Sequence, residues 1–265
     1  MAATHGNVSV MAEQGWTIEE RTQGVAAVMP DAFSSGMWAV IAHDLDPHCR
    51  SPAGAGACSA LSGMLMRFWA AHEASERFLD LFATPGADSD LKIRCQQEAA
   101  HFGFFTNVVS TVECCYFCFF WIGVMLKKPG FSDEHPGDLR LHPEKITEMF
   151  ERAFPSDRLA RAMREVVEDE HWKSAKETRD AMSHRGALPR YIDSNWKEPV
   201  PALYAPIFVT RKPKDHPKDW GPTDHPLQTA IAVHAWLVGA TTKLLMWGSQ
   251  FVHRELGPAE LAPED

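Results

Sequence analysis

The sequence has almost no stretch in which apolar and polar residues alternate, and this near-absence of strand signal argues against a β fold. It also lacks an apolar run of the roughly twenty residues that a spanning helix needs. The nearest approach is Cys114 to Leu126. Extending it back to Phe102 brings Asn107 and Glu113 toward mid-bilayer, where a carboxylate is expensive, so the segment reads as a buried core helix and no membrane is expected as a partner. The start, Met-Ala-Ala-Thr-His-Gly, has neither a charged n-region nor an apolar h-region. Six cysteines are too few and too scattered for a disulfide framework. Cys114, Cys115 and Cys118 share one apolar run and read as buried structural thiols, while Cys49 and Cys58 stand apart from them. A reducing cytoplasm is therefore the expected compartment. There is no repeat with a period of 20 to 50 residues. With 17 glycines and 18 prolines, collagen-like and low-complexity classes are excluded as well. No basic tail is present, and the formal net charge of -9 gives no overall attraction to nucleic acid.

What is present is helical periodicity. A chain of 265 residues, 45% hydrophobic, can bury a core of its own, and the expected organisation is a leader over 1–15, one helical domain over 16–256 and a tail over 257–265. Thr17, followed by Glu19 and Glu20, starts a short helix that Pro30 ends, and a second short helix runs from Phe33 to His43. Ser51 to Gly56 reads as a loop. Leu61, Leu65, Phe68, Trp69, His72, Phe78, Leu79 and Phe82 then recur near helical spacing from Cys58 to Phe82. Thr84-Pro85-Gly86 turns the chain into another long helix, from about Asp90 to Lys127, so the two must form an antiparallel hairpin. Pro143 opens a helix that ends at Phe154. Ser156 caps a single amphipathic helix that reaches Gly186, with Leu159, Met163, Val166, Val167, Trp172, Ala175 and Met182 along one side. From Ala187 to Pro222 the chain makes a Pro-rich surface excursion with a short strand at Ala205 to Arg211. Asp224 caps the last helix, Pro226 to about Leu256. The expected fold is an all-α, up-and-down antiparallel bundle with that excursion before its last helix.

The most specific local string is Arg179-Asp180-Ala181-Met182-Ser183-His184-Arg185-Gly186. With fifteen arginines and thirteen histidines in the chain, an Arg-x4-His pair with Asn, Asp or His after the arginine arises by chance roughly 0.1 times, so chance explains it poorly. At the end of an amphipathic helix in an all-helical chain, the string resembles the Arg-polar-x3-His motif of the HEPN superfamily. These are small helical bundles found in RNA-cleaving toxins, phage-defence proteins and their inactive relatives. The resemblance covers the motif, its helix and the bundle architecture, and leaves the N-terminal third and residues 187 to 222 without a counterpart.

The resemblance implies an endoribonuclease that works without metal or other cofactor, with the RNA 2′-hydroxyl as nucleophile. Such chemistry needs a proton-transfer group and a cation for the phosphorane-like transition state, roles that fall to His184 and Arg179. The last turn of a helix favours the imidazolium form of His184. Asp180 can orient either partner, and Arg185 and Arg190 extend the grip on phosphate. Residues five apart on a helix differ by about 140 degrees, so Arg179 and His184 of one chain diverge. A site assembled from two protomers resolves this, and the resemblance implies a face-to-face homodimer. RNA is the expected partner, with an antitoxin or other regulatory protein beside it. Charge agrees: residues 156 to 223 carry thirteen Lys or Arg against eleven acids, and Arg211, Lys212, Lys214 and Lys218 with Tyr191, Trp196, Tyr204 and Trp220 offer a stacking and electrostatic surface.

Two other readings stand beside this one. A catalytically inactive helical interaction or ligand-binding protein would keep the motif as an ordinary helix terminus. A ferritin-like di-iron bundle would use Glu98-x-x-His101 and Glu168-x-x-His171, the spacing that puts two ligands on one helix face, with Glu73 and either Glu144 or Glu148 as further carboxylates. His234, on the apolar last helix, reads as a core histidine.

Overall fold

A computed structural model describes residues 35–83, 91–132, 141–185 and 226–257, and among them every regular element is helical. Seven α-helices follow in order: α1 (Ser35–Leu45), α2 (Pro52–Ala83), α3 (Leu91–Met125), α4 (Pro143–Ala153), α5 (Arg158–Glu168), α6 (Glu170–Arg185) and α7 (Pro226–Leu256). A 3-10 turn at Asp46–His48 joins α1 to α2. The expected leader, the helix from Thr17 to Met29, the Thr84-Pro85-Gly86 turn, the Pro-rich excursion with its strand, the Asp224 cap and most of the tail lie outside the described residues.

The chain is an all-α bundle organised around α3. That helix packs against α2, α4, α6 and α7, and its buried residues from Gln97 to Gly123 cover rather more than half of its circumference. A helix so apolar needs cover from its neighbours, and this one has it along that arc while Phe102 on the other side stays exposed. By length and composition Leu91–Met125 and Thr229–Leu256 could each cross a membrane, and 61% of the most apolar window of the first is covered by its neighbours. The hairpin of α2 and α3 is antiparallel, as its partners show. The Gln97 side chain donates to the Leu81 carbonyl, Gly103 lies beside Ala74, Cys114 beside Gly63, and Trp121 beside Gly56. Across the bundle, Tyr116 ties α3 to α5 by donating its hydroxyl to the Met163 carbonyl at 2.6 Å. Arg254 of α7 donates to Asp157 at the start of α5, also at 2.6 Å. Phe119, Phe131, Phe150, Phe154 and Phe251 form a chain of ring contacts at 4.9 to 6.2 Å that closes this end of the core.

Three local expectations are corrected. Residues 52 to 56 are not a loop but the first turns of α2, with Pro52 opening the helix and the Ser51 hydroxyl accepting the Gly54 N–H at 3.0 Å. The glycines serve close approach: a Cβ at Gly54 would collide with the His48 carbonyl, and one at Gly56 would lie 2.6 Å from the Trp121 indole. Next, the helix expected from Ser156 to Arg185 is two helices. Asp157, not Ser156, caps α5, accepting the Leu159 N–H at 2.7 Å. At Asp169 the backbone turns extended (ψ 140) and the side chain accepts the His171 N–H at 2.8 Å, so one residue ends α5 and caps α6.

The third correction concerns cysteine. Cys49 and Cys58 are joined as a disulfide with their Cα atoms 6.6 Å apart, clamping the 3-10 turn to α2, whereas both were expected to be isolated thiols. Cys95, Cys114, Cys115 and Cys118 are free thiols. Oxidised protein unfolded without reductant should accordingly titrate four thiols, and reduced protein six. Closing so short a loop contributes about 2–3 kcal/mol in the chain-entropy account, so reduction should lower Tm by several degrees. Six thiols in the unreduced protein would remove the clamp.

Candidate functional site

The helix that carries the motif is anchored first at its N-terminal half. Trp172 is fully buried, and its indole N–H donates to Glu144 Oε1 at 3.0 Å. Lys176, one turn later, donates to the same oxygen at 2.7 Å, with its ammonium 5.4 Å from the Trp172 ring. The second Glu144 oxygen lies 2.9 Å from His142 Nδ1. Burial alone would raise the Glu144 pKa, but the hydrogen bonds from Lys176 and Trp172 overcome it and bring the group down to about 2. Glu144 opens α4, so this carboxylate is the fastener between α4 and α6.

One turn beyond Lys176, Arg179 lies along the seam between α6 and α3, 26% exposed. Its Nε donates to Asp180 Oδ1 at 2.7 Å, and its Nη2 stands 3.9 Å from Glu113 Oε1 on α3. Burial pushes the Glu113 pKa up, opposed by the charges of Arg179 and Lys176. The guanidinium is therefore held between two carboxylates while part of it faces water. This geometry aims Arg179 along the seam, and an anionic ligand arriving there competes with Asp180 and Glu113. Glu113 was not among the expected site residues. Its one signal was its oddity, a lone carboxylate in an apolar run.

His184 belongs to the last turn of α6, five residues after Arg179. The side chains of His184 and Arg185, and all of Arg190, lie outside the described residues. What is described thus joins Arg179 to Asp180 and Glu113, and places His184 by its backbone alone.

The di-iron alternative is not assembled. His101 is 3% exposed and packs between the rings of Phe78 and Phe105, at 4.8 and 4.9 Å. His171 sits on the exposed start of α6 with its Nδ1 2.9 Å from Asp169. Glu168 is exposed and lies 3.8 Å from Arg164, and Glu73 is exposed on α2. Glu148 is 4.0 Å from Lys145, and Glu144 is committed to Trp172 and Lys176. Among the described residues, no three His, Cys, Asp or Glu side chains are gathered as a metal ion would require. Glu98 and His101 share one helix, whereas the break at Asp169 leaves Glu168 at the end of α5 and His171 at the start of α6, so the second pair has no common helix face.

The sulfur cluster is equally unsuited to chemistry as it stands. Cys115 and Cys118 are buried, and burial, reinforced by neighbouring cysteines, lifts the Cys118 thiol to about 12 and Cys115 well above its usual range. Comparison with family models, with curated proteins and with solved structures found no match to this chain, so a functional reading rests on its own residues.

Proposed function

We propose that this chain is a HEPN-like RNA-binding protein that cleaves RNA without a metal ion, in the manner of toxin or phage-defence ribonucleases. The working site is dimeric, with Arg179 of one protomer facing His184 of its partner. The observation that carries the reading is the setting of Arg179 in an all-α bundle. It is a partly exposed guanidinium, oriented through Nε by Asp180, on the helix whose last turn holds His184. In the reaction the RNA 2′-oxygen attacks phosphorus and loses its proton to solvent water, the P–O5′ bond breaks, and the 5′-oxygen leaves with a proton supplied by the His184 imidazolium, which is then reprotonated from solvent. The products are a 2′,3′-cyclic phosphate and a 5′-hydroxyl. Arg179 stabilises the charge that builds on the phosphoryl oxygens, and Arg185 and Arg190 hold the flanking phosphates.

A homodimer follows from the divergence of the two side chains on one helix. An antitoxin or regulatory protein would act by covering the α6 terminus. An RNA target places the protein in the cytoplasm, with no membrane involved, although the Cys49–Cys58 disulfide favours an oxidising setting. A second reading, an inactive helical interaction protein, is favoured by the pairing of Arg179 with both Asp180 and Glu113, which leaves its charge already compensated. Purified protein incubated with structured and unstructured RNA in EDTA separates the two. The ribonuclease reading expects fragments ending in cyclic phosphate. Intact RNA in the presence of folded, dimeric protein would establish the inactive reading.

A further inference from the structure

Away from the motif helix, two histidines meet across the bundle. His72 of α2 and His234 of α7 are 162 positions apart in sequence, and His72 Nδ1 lies 3.3 Å from His234 Nε2. Their ring centroids are 5.4 Å apart, with planes inclined by 36°. Both rings are half-buried, and Phe104 of α3 lies beneath, its centroid 6.4 Å from that of His234. Glu76, one helical turn after His72 and therefore on the same side of α2, is exposed, and its charge acts on His234.

We propose that His72, His234 and Glu76 form a binding site for a zinc-class divalent metal ion that clips α2 to α7. Two ligand nitrogens held at 2.0–2.1 Å around a tetrahedral ion stand about 3.3–3.4 Å apart, the gap already present between these two rings. Metal binding thus keeps the nitrogen separation and replaces the hydrogen bond that now joins the two rings. The third ligand comes from a rotamer change of the exposed Glu76 side chain, which is why no three ligands are gathered beforehand. A water completes the shell. Imidazole pairs with a carboxylate select zinc, copper or nickel over magnesium and calcium, which prefer all-oxygen sites. Neutral imidazole is the ligating form, so Zn2+ binding here weakens as pH falls. The Phe104 face supplies the dry wall that strengthens metal–ligand bonds. This site shares no residue with the proposed Arg179 and His184 pair, and RNA cleavage in EDTA does not depend on it.

The test uses the full chain, stripped with EDTA, dialysed, and titrated with Zn2+ against a chromophoric chelator. Wild type should bind one equivalent per chain and unfold at a higher temperature with Zn2+ than without. His234→Ala and His72→Ala should each lose that equivalent and the thermal shift, and Glu76→Gln should weaken binding by about tenfold or more. Should the alanine variants fail to fold, His234→Gln keeps a hydrogen-bonding side chain of similar reach without the imidazole ligand. Co2+ absorption in the visible then reports the loss directly. Absence of a Zn2+ equivalent from wild type, or an equivalent that survives in the His72→Ala/His234→Ala double variant, overturns the site. So does Glu76→Gln binding at wild-type strength with an unchanged Co2+ spectrum.

Discussion

Replacing His184 with alanine should slow RNA cleavage by about a thousandfold, the usual worth of a positioned general acid or base, while leaving the fold and RNA affinity nearly intact. The expectation divides kcat from KM. In the proposed mechanism His184 acts when the 5′-oxygen leaves, so its loss should appear in kcat and in the pH profile, where the limb belonging to imidazolium disappears. Arg179→Ala should fall by a comparable factor but differ in kind, raising KM as well, because the proposed role of the guanidinium includes binding ground-state phosphate. Arg179→Lys keeps the charge and loses the planar fork shared between Asp180 and Glu113, and should recover only a small part of the rate. Single-turnover kinetics on a short labelled RNA, with circular dichroism to verify folding, measures all three. A His184→Ala protein that cuts at the wild-type rate would move the chemistry elsewhere.

Glu144→Ala should be the most damaging surface-proximal substitution, costing about 2 kcal/mol and roughly 4–8 °C in Tm. The carboxylate receives the Trp172 N–H and the Lys176 ammonium, so its removal leaves an indole donor and a cation without their acceptor where α4 meets α6. Thermal unfolding at pH 7 gives the magnitude, which already discounts for a side chain 31% exposed to water. Its pH dependence gives the signature. The folded group titrates at about 2, below its value in the unfolded chain, so the unfolded state takes up the proton first as pH falls. Its contribution is fully present above about pH 4.5 and is lost on descending toward pH 2. Wild type and Glu144→Ala should therefore converge in stability through that window. A constant gap down to pH 2 would show that the pairing is not what the substitution removes.

Much of the bundle was legible in the sequence because its helices carry their own signals. The spacing of Leu61, Phe68 and Phe78, the proline opening α4, and the continuous apolar content of α3 each have one simple solution. Where a residue type has two uses, the reading failed. Glycine signals loops, but Gly54 and Gly56 lie inside α2, where the missing Cβ admits a carbonyl and an indole. Asp169 fits an exposed helical position as well as a double cap, so the apolar stripe ran on through the break. Cysteine pairing has no signature at a spacing of nine, and the Cys49–Cys58 clamp was invisible.

The surroundings of Arg179 were half legible for a similar reason. Arg179, Asp180 and His184 fall within six residues and stand out as a string, whereas Glu113 meets Arg179 only through the packing of α3 against α6. His72 and His234 were read as core positions one helix at a time, and only their meeting makes them a pair. The Glu-x-x-His repeats err in the opposite direction, since periodicity puts His101 and His171 on definite faces but does not bring those faces together.

The two-protomer site is tested most directly by mixing. Arg179→Ala and His184→Ala chains, each inactive alone, are denatured together, refolded in equal amounts and assayed on RNA in EDTA. If Arg179 of one chain works with His184 of the other, half of the dimers are mixed and each has one intact site, restoring roughly one quarter of wild-type activity. A mixture that remains as inactive as either variant, with mixed dimers demonstrated, would contradict the account.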